Sequence, residues 1–198
     1  MTDARVAAII LAAGASTRMG RNKLLLDVGG TTMVRAAAMT AVAAGLDPVI
    51  IVIGNEAENV RRALSDVRCE FAVNPDYTGP TSTSLHAGLN ALGADVTAVV
   101  VLLADMVRTT APMLRALVQS SASGTAPLEV SRYGDVLAPP LLFRRALWRE
   151  LLDWHGEGCG KAVVRAHERE ASIHDWPVDA LQNVDTPDDY LRLTAAHD

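Results

Sequence analysis

At 198 residues, 49% of them hydrophobic and 21% charged, the chain has enough apolar material for a large core in one domain or two closely fused lobes. A formal net charge of -5 and a pI near 5.5 argue against nucleic acid or an anionic membrane as the main partner, yet leave room for a small anion held by a local basic cluster. Cys69 and Cys159 are too few for a disulfide framework and lack metal-ligand spacing; with no basic leader and long apolar region at the N-terminus, the expected location is cytoplasmic.

The first element is an apolar run at 6–11, too short for a helix, which stops at small residues, two hydroxyls and three cations. Such a boundary predicts a strand feeding a phosphate loop. Ala12, Ala13, Gly14 and Ala15 leave the backbone uncovered, so amide N–H groups can approach an anion, while Arg18, Arg21 and Lys23 supply positive charge. A Walker A loop is excluded because Gly20 is followed by Arg21-Asn22-Lys23 with no hydroxyl after the lysine, and the dinucleotide fingerprint is absent as well.

Strands and helices then alternate. A short apolar piece at 23–28 ends at Gly29-Gly30, and Thr31 or Thr32 is placed to cap a helix reaching Gly45. A β-branched run at 48–53 has the character of a strand buried on both faces. A helix at 56–64, a strand at 69–73, a Pro- and Gly-rich loop at 74–80, a helix at 82–92 and a second apolar strand at 97–103 follow. This order predicts an α/β fold: three layers, a Rossmann-like, mostly parallel sheet with right-handed crossovers and helices on both faces. Ligands of such sheets sit beyond the carboxyl ends of the strands, where Gly14 and Asp105 both fall. A carboxylate there is able to hold Mg2+; read locally, Asp105 equally begins a turn or caps the next helix.

Beyond Gly124 a strand is expected at 126–133, an irregular segment at 134–140, and an amphipathic helix at 144–154 with Leu147, Leu151 and Trp154 on its buried face. The glycine-rich run 155–161 opens another helix and reads as either a second anion site or a connector. Thr186 is a helix N-cap, Pro187 fits the first helical position, and Asp188 and Asp189 complement the helix dipole. The whole chain is thus expected to be one domain in two halves, 1–124 and 125–198, its sheet completed by an antiparallel element.

The run Leu-Ala-Ala-Gly-x-Ser-x-Arg-Met-Gly-x-x-Lys from Leu11 to Lys23 resembles the signature of nucleotidyltransferases that activate a phosphorylated acceptor with an NTP, and most of all the molybdenum-cofactor branch. Similar motifs recur where that family carries an Asn-Pro run with Ser-Ser-Ser-Leu (Asn74 onward, with Ser82, Thr83, Ser84 and Leu85 in register), a Gly-Asp-Met-Pro segment (Ala104-Asp105-Met106-Val107) and Asp-Thr-Pro-Glu-Asp (Asp185 to Asp189). Departures are Pro80, Ala104, Val107, Ala138-Pro139-Pro140 in place of Gly-His/Asn-Pro, and Glu157 in place of an Asp.

What the resemblance implies is nucleotidyl transfer with release of pyrophosphate, with a nucleotide-binding role for the half at 1–124 and an acceptor-side role for the half at 125–198. Leu11, Ala12, Ala13, Gly14, Arg18, Lys23, Ser82 and Ser84 would bind the nucleotide; Arg18, Lys23 and Asp105 would be catalytic; Asp105 and Asp185 would hold Mg2+. An acceptor phosphate is already ionised, which suits a chain with no recognisable Ser, His or Cys triad. Ala12-Ala13 resembles the cytidylyl branch, so CTP is expected over GTP. The implied partners are the NTP, a phosphorylated acceptor such as molybdopterin, and transiently a molybdoenzyme or its chaperone, with no nucleic acid and no membrane. Guanylyl transfer, another small phosphate acceptor, or a non-catalytic nucleotide-binding insertion factor are the competing readings.

Overall fold

The computed structural model describes residues 5–195. Its centre is β1 (Arg5–Ala12), whose side chains alternate between two cores: Ile9 joins one with Leu85, Leu89 and Val99, while Ile10 joins the other with Ile51, Leu102 and Leu114. Burial on both faces is why this strand reads as one continuous apolar run. The 3-10 turns at Thr17–Met19 and Lys23–Leu25 carry the chain to a small hairpin, β2 (Asp27–Val28) and β3 (Thr31–Thr32). Helix α1 (Met33–Ala43) follows directly. Neither threonine hydroxyl caps it, since both are buried without a hydrogen-bond partner.

Further parallel crossovers complete the first half of the chain: β4 (Val49–Ile53), α2 (Ala57–Ala63), β5 (Glu70–Val73), α3 (Thr81–Asn90), β6 (Val96–Leu103) and α4 (Ala111–Ser123). Helix α3 lies hard against the sheet at Gly88, where an added Cβ would come 2.7 Å from Ile9 Cγ2. The second half adds β7 (Leu128–Tyr133), β8 (Val136–Arg144), α5 (Trp148–Asp153), α6 (Cys159–Ala166), β9 (Ser172–Trp176) and α7 (Pro187–Ala195). The seven-stranded sheet runs β5-β4-β1-β6-β8-β7-β9, and among the described residues β8 alone runs against its neighbours. Helices α3, α5 and α6 cover one face and α1, α2 and α4 the other, which makes the three layers expected of a mostly parallel Rossmann-like sheet.

Two expectations need correction, and one strand has no counterpart among them. Residues 134–140 are not irregular: after a turn at Gly134-Asp135 the chain becomes β8, between β6 and β7. Pro139 and Pro140 sit at a bulge, where the register shifts between Val130 and Ser131 and no ladder N–H is required of them. Side chains of β7 satisfy the carbonyls there: Ser131 Oγ donates to Pro140 O at 2.7 Å and Tyr133 Oη to Pro139 O at 3.0 Å. Residues 144–154 form a 3-10 turn at Arg145–Leu147 followed by α5, so Leu147, Trp148 and Leu151 are buried while Trp154 is 41% exposed. Strand β9 carries mixed polar and apolar residues at a sheet edge and was not expected at all.

Candidate active site

The loop after β1 is shaped by backbone before any ligand is considered. Ser16 adopts a left-handed conformation at φ 50° and closes the turn by accepting Met19 N–H at 2.9 Å; its hydroxyl accepts Lys23 N–H at 3.2 Å. Buried Asn22 caps the next 3-10 turn by accepting Leu24 N–H at 3.1 Å. The Lys23 backbone is therefore held from both sides. Gly54, at the end of β4, permits Ala13 and Tyr77 to come together, because any Cβ there would collide with the Tyr77 side chain.

Asp105 follows β6, five residues before the α4 N-cap Thr110, so it caps no helix. An antiparallel bridge between Met106 and Asn183 brings the C-terminal segment to it. Val184 is fully buried with Met33 and Leu193, which fixes Asp185 beside the loop. The α7 cap completes that segment. Asp189 accepts the backbone N–H groups of Asp185 at 3.1 Å and Thr186 at 2.8 Å, and Thr186 Oγ1 accepts Asp189 N–H at 3.2 Å, a reciprocal capping box. The Thr186 hydroxyl, followed by Arg192, holds the Asp189 carboxyl well below the usual carboxylate range.

These elements enclose a cavity of about 330 Å3, within the range of small-molecule sites. Of the residues named from sequence, Leu11, Ala13, Gly14, Arg18, Lys23, Ser84, Asp105 and Asp185 line it. Ala12 instead ends β1 in the core opposite Ile53, Arg21 faces solvent, and the Ser82 hydroxyl accepts Gly156 N–H at 3.1 Å. Tyr77, Gly79 and Thr81 also line the cavity, and no periodicity marks the first two in a loop. Asn74 sets that loop: its amide donates to Thr83 and Ser84 hydroxyls at 2.9 Å each, and its carbonyl accepts Asp76 N–H at 2.9 Å. The N-cap of α3 is Pro80, so neither Thr81 nor Ser82 caps it; Glu157 takes that place by accepting both the N–H and the hydroxyl of Thr81. Run 155–161 is thus clamped to α3, and Glu157, Gly158 and Lys161 line a second cavity beside the first.

Charge in the cavity is concentrated on Lys23. Its Nζ lies 2.5 Å from Asp105 Oδ2 and 2.7 Å from Asp185 Oδ1, with Arg18 Nη2 3.2 Å from the same Asp185 oxygen. Burial alone would lower the Lys23 ammonium, but Asp105 and then Asp185 outweigh it and hold it above its ordinary value. Cys159 offers no competing nucleophile, since burial pushes its thiol up to about 11 and it donates to Leu151 O. A cation already sits between the Asp105 and Asp185 oxygens, so the pair accepts positive charge by geometry. Among the described residues no group of three or more His, Cys, Asp or Glu side chains gathers into a cage. Two carboxylates without a cage suit Mg2+, which keeps waters and completes its shell with substrate phosphates.

Residues 8–171 match the family described as the MobA-like NTP transferase domain. The chain belongs to that family. Proteins of that family are described as NTP transferases. This MobA-like transferase is 26% identical over 200 residues to the purine catabolism protein PucB of Bacillus subtilis (strain 168), covering 95% of each chain. It is 34% identical over 136 residues to the bifunctional protein GlmU of Anaeromyxobacter sp. (strain Fw109-5); the match takes in 66% of this chain but 28% of that longer protein. Its fold superposes on the crystal structure of Rv0371c from Mycobacterium tuberculosis H37Rv with a TM-score of 0.87 at 28% identity, covering 98% of this chain and 100% of the other. The manganese complex of Rv0371c gives 0.83, also at 28% identity, covering 97% and 99%. Among the described residues, no helix is long and apolar enough to cross a membrane.

Proposed function

We propose that this MobA-like transferase moves a cytidylyl group from CTP to the phosphate of a molybdopterin-like acceptor in molybdenum-cofactor synthesis, releasing pyrophosphate, with Mg2+ as cofactor. The observation that carries this reading is the convergence of Lys23, Asp105 and Asp185 at the mouth of a small-residue loop. In the reaction an acceptor phosphate oxygen forms a bond to the α-phosphorus as the bridging oxygen to the β-phosphorus departs with pyrophosphate. Exposed Gly14 leaves the loop amides open to the triphosphate, and Arg18 and Lys23 supply charge-assisted hydrogen bonds to its oxygens. Asp105 and Asp185 would hold Mg2+, which neutralises charge on the phosphates when bound. The manganese complex of the similar protein Rv0371c supports use of a divalent ion. No proton needs to be removed from an ionised acceptor phosphate, in keeping with a cavity lined by no histidine or cysteine among the described residues.

The acceptor side is a trough of about 270 Å3 that shares Leu11, Thr81 and Leu103 with the nucleotide cavity and is walled by Leu85, Val101, Pro139, Leu141 and Phe143, with Glu157, Cys159 and Lys161 along one side. Pro139 places an apolar ring where the resembled enzymes carry a polar side chain, which favours, as a second reading, a small phosphate acceptor less polar than a pterin. Pyrophosphate release measured with Mg2+, each of the four NTPs, and either molybdopterin or simple sugar phosphates separates these. Turnover with CTP and molybdopterin is expected; turnover only with another acceptor selects the second reading, and none with any pair overturns both.

A further inference from the structure

Lys23 occupies the two oxygens that a divalent cation needs. Its Nζ is within 2.7 Å of both Asp105 Oδ2 and Asp185 Oδ1, and the Lys23 and Asp105 side chains are 14% and 15% exposed, so water screens this contact poorly. Mg2+ bonds oxygen at about 2.0–2.1 Å. An ion at that distance from both carboxylates would share the space of the ammonium and be repelled by it. Arg18 reaches only Asp185 and is 68% exposed, so it is not an equivalent occupant.

We propose that Lys23 is a resident counter-ion of the Asp105–Asp185 pair that must leave before a metal enters, and that the triphosphate of the incoming nucleotide is what draws it out. The inference rests on the reading of those two carboxylates as the metal site. Three features of the chain make the exchange workable. The Lys23 backbone is fixed by Ser16 and the Asn22-capped turn, while its four-carbon stem remains free to swing within the cavity that Gly14 and Arg18 also line. Two carboxylates alone, with no third acidic or imidazole ligand beside them among the described residues, offer Mg2+ too little to displace the ammonium from the free protein. The triphosphate changes both sides of the balance, because it gives the ammonium a new anionic partner and adds oxygens to the metal shell. Metal and nucleotide therefore enter together, and the free enzyme stays closed to idle metal.

Mn2+ provides the probe. Free Mn2+ is followed by electron paramagnetic resonance as the full-length protein is titrated without nucleotide. If the ammonium fills the site about nine-tenths of the time or more, Lys23→Met should bind Mn2+ at least about tenfold more tightly than wild type. Arg18→Met removes the same charge without vacating the space, and should gain less than about threefold. No gain in Lys23→Met, or an equal gain in Arg18→Met, overturns the exchange. Asp105→Asn separates that failure from failure of the metal reading. If it abolishes Mn2+ binding in the presence of a non-hydrolysable NTP analogue while Lys23→Met shows no gain, the exchange alone falls; if it leaves that binding intact, both readings fall. Should Lys23→Met not fold, wild-type protein suffices, because Lys23 and Lys161 are the only lysines in the chain. With 15N-labelled lysine, the Lys23 ammonium resonance, assigned by its loss in Lys23→Arg, should stay in place with Mg2+ alone and move when Mg2+ and the NTP analogue are both present. A resonance that ignores both ligands together, or moves equally with Mg2+ alone, overturns the proposal.

Discussion

Asp105 and Arg18 bear on different parts of the reaction, and their substitutions should separate accordingly. Asp105→Asn keeps size and an oxygen but removes a charge from the pair that faces Lys23. Turnover should fall at least about a hundredfold, roughly 2.7 kcal/mol, while nucleotide affinity measured without metal persists. Arg18 is largely exposed, so Arg18→Ala should leave the melting temperature unchanged yet weaken NTP binding about tenfold or more, as for loss of one charge-assisted contact of about 1.5–3 kcal/mol. Calorimetric titration beside a pyrophosphate assay checks both; equal activity in both variants would remove the case for this cavity. The residues that line it were legible in the sequence wherever spacing and strand ends determine position, as at Gly14, Lys23 and Asp105. Legibility ended where orientation depends on a distant partner. Ser82 looked like Ser84, but two residues along the helix turn its hydroxyl toward Gly156, a residue 74 positions away.

At the scale of elements, the α7 cap does two tasks, starting a helix and holding the Asp185 backbone through Asp189. Thr186→Ala should therefore cost about 0.5–2 kcal/mol in urea unfolding and, unlike a cap elsewhere, also lower turnover through a loosened Asp185. Loss of stability with unaltered turnover would show that Val184 alone places Asp185. Ser131→Ala tests the β8 bulge. Its hydroxyl is buried and serves the Pro140 carbonyl, so removing it should cost about 1–3 kcal/mol, read from the denaturation midpoint. That strand was hidden in the sequence because Pro139 and Pro140 signal broken structure, and what rescues it, Ser131 and Tyr133 from β7, lies outside any local window. The parallel crossovers were visible for the opposite reason. Burial on two faces imprints an apolar run on β4 that needs no partner to be recognised.

For the molecule as a whole, ligand linkage and pH give two measurable consequences. With Mg2+ present, CTP should raise the melting temperature more than GTP, ATP or UTP, since a tighter ligand of the native state stabilises it more at equal concentration; a larger shift with GTP would assign the guanylyl reaction. His167, just after α6, bonds to Glu150 of α5 at 2.8 Å, and that bond raises the histidine above its ordinary value. A raised folded value means the stabilisation is complete below the unfolded pKa of about 6.5 and disappears as pH rises through the folded one. Thermal melts of wild type and His167→Gln from about pH 5 to about pH 9 should therefore diverge at the acid end and converge at the alkaline end; the reverse trend would refute the pairing. The Met106–Asn183 bridge also imposes a schedule. Lys23 and Asp105 are synthesised long before Asn183, so in a growing chain the ammonium has one carboxylate where the finished protein gives it two. On the proposed reading of the site, the pair that receives the metal is therefore complete only once the last segment has docked.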